Sequence, residues 1–100
     1  MNKLLLATLK VLAESKNENR AKSIAEEVAR IIRGKITDIK IHSETNIAIV
    51  VEQDSDVMIE VNYLDGAGEI RVIYGNVGAN MQALKGLARR TDLELVVEND

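Results

Sequence analysis

The side chains that could do chemistry in this sequence are few and widely spread. Four carboxylates, Glu52, Asp54, Asp56 and Glu60, crowd one short stretch and carry enough charge for a hard cation. Their order does not suit a calcium loop, because with Asp54 as first ligand both the glycine at the sixth position and the closing glutamate are missing. Strand-end solubilising charge accounts for them. His42 is the only histidine and the chain has no cysteine, so two-histidine and thiolate metal sites and cysteine nucleophiles are excluded. A serine triad on Ser43 or Ser55 would depend on that same His42, and neighbours in a strand point to opposite faces. No catalytic residue, metal ligand or cofactor is therefore expected.

Two binding features remain. The run Gly75-Asn76-Val77-Gly78-Ala79-Asn80 joins a strand to a helix, where exposed amides attract anions, which makes Gly75, Gly78 and Asn80 a candidate anion site. It lacks the Gly-Lys-Ser/Thr of a P-loop and the third glycine of a dinucleotide fingerprint, and Asn80 also reads as a helix cap. Arg20, Lys22, Arg30, Arg33 and Lys35 form a basic series that supports an alternative reading as a nucleic-acid-binding regulator. Glu26 and Glu27 are interleaved with it, and the spacings Lys22 to Glu26 and Glu26 to Arg30 suit ion pairs on a solvated helix face. With no Phe or Trp and two Tyr, base-stacking platforms are scarce.

The elements that position these residues centre on Val57 to Tyr74. Asp65-Gly66 separates two runs of alternating apolar residues, the pattern of a hairpin closed by a two-residue type I′ turn. That turn sets Val61 opposite Ile70, Glu60 opposite Arg71, Ile59 opposite Val72, Met58 opposite Ile73 and Val57 opposite Tyr74. Ile36 to Ser43 and Ile47 to Glu52 read as two earlier strands, the second apolar on both faces. Three-residue loops at 43–45 and 53–55 would set Ile41 against Ile47, Ile39 against Ile49, Val51 against Val57 and Ile49 against Ile59. On the opposite face, the same registers align Val50, Met58 and Ile73 in an apolar row beside Glu60 and Arg71. An apolar row rimmed by charge has the composition of a protein interface.

Before the strands, residues 2–14 and 20–33 read as two helices separated by a polar break at 17–19, the second ended by Gly34 at its C′ position. Leu5, Leu9 and Leu12, widened by Leu4, Leu6 and Val11, give the first helix more apolar surface than one contact uses. A third helix follows Asn80, with Gly86 suggesting close packing at that point. Then comes a strand from Leu93 to Val97, which should lie parallel to a neighbour after a crossover.

At 100 residues and 46% apolar content, the chain suits a single domain over 1–100 with an aliphatic core. Its net charge of −3 is unevenly distributed: residues 1–35 hold eight basic and four acidic side chains, and residues 36–74 hold two and eight. The leucine run near the start is interrupted by Lys10, and no stretch reaches the roughly 18 apolar residues of a membrane span. A cytoplasmic setting is expected. The resulting expectation is an α+β protein of two N-terminal helices, a four-stranded antiparallel meander, a crossover helix and a fifth strand. It would act as a non-catalytic interaction or regulatory module that associates with itself or another protein, through Val50, Met58, Ile73, Glu60 and Arg71 or through the first helix.

Overall fold

The computed structural model describes residues 3–43, 45–64 and 67–98, and in the first helix it describes side chains from Asn17 onward. Helix α1 (Lys3–Ile32) leads into strands β1 (Lys35–Ser43), β2 (Asn46–Gln53), β3 (Val57–Leu64) and β4 (Ala67–Tyr74). A 3-10 turn (Gly78–Asn80), helix α2 (Met81–Thr91) and strand β5 (Glu94–Val97) complete the chain. The class is α+β, but one continuous helix stands where two N-terminal helices were expected. Asn17 and Asn19 look like a break in sequence. Each costs only about 0.7 kcal/mol against alanine, however, and no glycine or proline interrupts α1. Glu18 also reaches Lys22 at 3.2 Å, supporting the helix through the polar stretch. The leucine side chains of the first turns lie outside the described residues.

The C-terminus of α1 shows how helix and sheet are joined. Arg33, not Gly34, takes the left-handed conformation, at φ 57°. The Gly34 amide donates to the Ala29 carbonyl at 2.8 Å and the Arg33 amide to Arg30 at 3.4 Å, the paired bonds of a Schellman motif. Gly34 is required for a different reason: a Cβ there would overlap the carbonyl oxygen of Glu52 and stand 2.9 Å from its carbon. The helix end is thus pressed directly onto the backbone of β2.

The strands form one five-stranded mixed sheet whose spatial order equals the chain order, β1 to β5. The first four are antiparallel, and β5 runs parallel to β4, with Ile70 opposite Leu95. Ile39 meets Ile49 and Ile41 meets Ile47, as the sequence implied. The Asp65-Gly66 turn lies outside the described residues, but the strands beside it pair Leu64 with Ala67 and Glu60 with Arg71, as a two-residue loop requires.

Two registers differ from expectation. β2 continues to Gln53 and the turn is made by residues 54–56, with Asp54 at φ 48°, a conformation Asp tolerates. Val51 therefore meets Ile59 and Ile49 meets Val61, a shift of two residues that preserves the faces. At the other end of the hairpin, Met58 pairs with Tyr74 and Ile59 with Val72, leaving Ile73 as the extra residue of a β-bulge. The bulge precedes Gly75, whose φ of 106° and contact with the Asp56 carbonyl leave no room for a side chain.

Both helices pack on the same face of this sheet. Ala21, Ile24, Ala25, Val28 and Ile32 of α1 join Leu84, Leu87 and Ala88 of α2 over Ile47, Ile49, Val51, Ile59, Val61, Ile70 and Val72 in one aliphatic core. α1 lies across β1, β2 and β3, and α2 lies against α1 and β5. Gly86 is not a packing point, since a Cβ there would meet only Arg90 at 3.7 Å. No described helix is long and apolar enough to cross a membrane.

Two glycine substitutions should consequently act in opposite directions. Gly34→Ala is expected to lower stability by about 1–3 kcal/mol through overlap with β2, and Gly86→Ala to raise it by up to about 1 kcal/mol as a helix-interior replacement. Urea titration of the two variants beside the parent reads both signs.

Candidate interaction surface

With both helices on one side, the other face of the sheet has no covering layer among the described residues. Alternation places on it Asp38 and Lys40 of β1, Ala48, Val50 and Glu52 of β2, Met58, Glu60, Asn62 and Leu64 of β3, Glu69 and Arg71 of β4, and Glu94 and Val96 of β5. Val50, Met58, Ile73 and Val96 are each half-buried. They do not form the apolar row expected from sequence. Val50 stands between Asp38 and Glu60, Met58 between Glu52 and Tyr74, and Ile73 is displaced by the bulge. The extended β2 strand and the bulge cause this change, since each moves one partner of the row.

What occupies the middle of the face is a polar network. The Arg71 guanidinium donates through Nε to Glu69 Oε1 at 2.7 Å and through a terminal nitrogen to Glu98. Asn62 donates to Glu60 Oε1 at 2.8 Å and, at 3.5 Å, to Glu69. Glu60 and Arg71 are therefore cross-strand neighbours, as the sequence indicated, but the guanidinium bonds other carboxylates. Donation to Glu69 and then to Glu98 raises the Arg71 pKa further above its already high ordinary value, so the cation is permanent. At the rim, Thr37 donates to Glu52 at 2.6 Å. A depression of about 400 Å³ opens at one end of the face, lined by Asn46, Asn62, Leu64, Ala67, Gly68, Glu69 and Glu94.

Sequence reasoning did not find Asn62, Glu69, Glu94, Glu98 or Leu64 as part of this surface. A signal was present for two of them: the hairpin register places Asn62 opposite Glu69, two residues from Arg71 on the same face. Glu98 carried no such signal, because its position depends on how β5 joins the sheet.

The remaining candidates are not assembled into sites. Among the described residues, no group of three or more His, Cys, Asp or Glu side chains is arranged to hold a metal, the Glu52, Asp54, Asp56 and Glu60 set included. His42 is an exposed bulge residue of β1, and the Ser43 hydroxyl accepts the Thr45 amide at 3.3 Å. In the glycine turn, the Gly78 amide donates to Asn76 Oδ1 at 3.0 Å, while Asn80, expected as the helix cap, makes no side-chain capping bond. Asn76 holds the turn because its carboxamide sits two residues before the amide it bonds, an Asx turn. On α1, Lys22 pairs with Glu18 at 3.2 Å and Arg30 with Glu27 at 2.6 Å, and Arg90 also approaches Glu27 at 3.7 Å. The expected pairs through Glu26 do not form, and two of the five basic candidates are neutralised locally. A second cavity, about 250 Å³, lies between the layers beside Arg20, Tyr63, Thr91, Asp92 and Leu93.

In comparison with known proteins, no family model, curated protein or solved structure matches this chain. The functional reading therefore rests on the surface itself.

The roles of the two asparagines can be separated by substitution. Asn76→Ala should lower stability by about 1 kcal/mol through loss of the bond to Gly78, whereas Asn80→Ala should leave the urea midpoint unchanged.

Proposed function

We propose that this chain is a small, non-catalytic protein-interaction module whose working surface is the open face of the sheet. The observation that carries this reading is the one-sided helix layer. It leaves Val50, Met58, Ile73 and Val96 half-buried beside side chains that the Arg71 network already holds in place. Ordering side chains is one of the costs of association, and a surface ordered beforehand reduces it.

Charge indicates the kind of partner. The open face, with its rim, presents Asp38, Glu52, Glu60, Glu69, Glu94 and Glu98 against Lys35, Lys40 and Arg71. Two such faces brought together would repel, so the match is a partner with a basic and partly apolar surface. The depression beside Leu64, Glu69 and Glu94 suits a lysine side chain, its stem on the leucine and its ammonium between the carboxylates. Nothing in the chain needs an oxidising compartment, and the cytoplasm is the proposed setting.

The test is an NMR titration of the isotope-labelled protein with two strand-forming peptides, one alternating lysine and valine, the other glutamate and valine. The lysine peptide should shift amides of residues 48–52, 58–62 and 69–73 and the glutamate peptide should not. Glu94→Lys should weaken the response by roughly threefold or more. Equal responses to both peptides, or shifts confined to the helices, would reject the reading.

A further inference from the structure

Strand β1 is the long free edge of the sheet, with nine residues of which all but Ile36 are exposed. Edge strands of this length template pairing with another chain unless they are blunted. β1 is irregular at Thr37 and His42, where the register with β2 shifts, and regular from Asp38 to Ile41 between them. Within that window Ile39 and Ile41 lie on the helix-bearing face yet are 39% and 55% exposed, and among the described residues no further strand pairs with β1 on its outer side.

We propose that β1 pairs antiparallel with β1 of a second copy about a two-fold axis through Ile39, joining two five-stranded sheets into one of ten. The charge pattern of the window favours this pairing. In this register Asp38 stands opposite Lys40 of the second copy and Lys40 opposite its Asp38, while Ile39 meets its own counterpart on the helix-bearing face. Ile41 falls diagonal to the second Ile39, within reach across a strand pair. The neighbouring registers that keep the helices on one face set lysine against lysine or aspartate against aspartate at the axis. Opposite charges favour the first register and like charges disfavour the other two. Within one copy the Lys40 ammonium is 3.8 Å from Asp38, beyond hydrogen-bonding distance, and both side chains are more than half exposed. Each is therefore available for a partner across the axis. The contact is small, so the dimer is weak. It uses none of the residues at the centre of the open face and does not depend on the reading given above for that face.

Sedimentation velocity over a wide concentration range tests the proposal, with circular dichroism as a check on folding. The parent should dimerise reversibly. Asp38→Lys and Lys40→Asp should each weaken the dimer by about tenfold or more, since every charge pair becomes repulsive. The double variant Asp38→Lys with Lys40→Asp should recover it. The two single variants, mixed, should form a heterodimer, because the two lysines of one copy then face the two aspartates of the other in opposite pairs. A monomeric parent overturns the proposal. So does a dimer indifferent to both single variants, which would place self-association on the open face or on α1.

Discussion

One layer of branched aliphatic side chains, between a single face of the sheet and two helices, is the constraint on which the rest of the structure depends. The chain has no Phe or Trp to fill space, so the layer is built from Ile, Val and Leu. The buried alanines Ala21, Ala25 and Ala88 let the helices lie close to it. An antiparallel sheet can leave its second face to solvent, and here both helices are committed to the first. The position of Gly34 shows how closely the layers meet, with the end of α1 resting on the β2 backbone.

The open face has been filled with polar chemistry of a restrained kind. Arg71 is shared by two carboxylates, and Asn62 ties Glu60 toward the same group. Ion pairs this exposed contribute little to stability. Their physical effect is to fix directions: the guanidinium plane is held from two sides, and the carboxylates keep a net negative charge around it. The apolar residues of the face are separated by these groups, so the surface offers several small apolar contacts within a polar frame.

Much of this was legible in the sequence, where local periodicity decides the outcome. Alternation along Val57 to Tyr74 and the two-residue loop determine the pairing from Ile59 to Leu64, and parity assigns the buried side of β2. The β4-to-β5 crossover follows from a helix between two strands. The misreadings come from features settled by distant parts of the chain. α1 runs through a polar stretch that looks like a break, since helix propensities differ by fractions of a kcal/mol and packing of the following turns outweighs them. Gly34 and Gly75 are fixed by the carbonyls of Glu52 and Asp56, which no local rule brings near them. One further residue in β2 and one bulge in β4 were enough to disperse the row of Val50, Met58 and Ile73. Asn76 displaced Asn80 because the helix is entered through a 3-10 turn, which moves the first free amide upstream.

The agreement between chain order and strand order in the sheet has a consequence for how the protein is made. Each strand pairs with its immediate predecessor, so no strand waits for one synthesised much later. A sheet of this kind can lengthen at one edge as the chain leaves the ribosome, beginning with β1 and β2. Only β5 requires a long loop to close, and by then four strands offer it a finished edge. Pairings between near neighbours in sequence favour rapid folding. They also keep the number of unpaired edges low while the sheet grows, which favours assembly in the direction of synthesis.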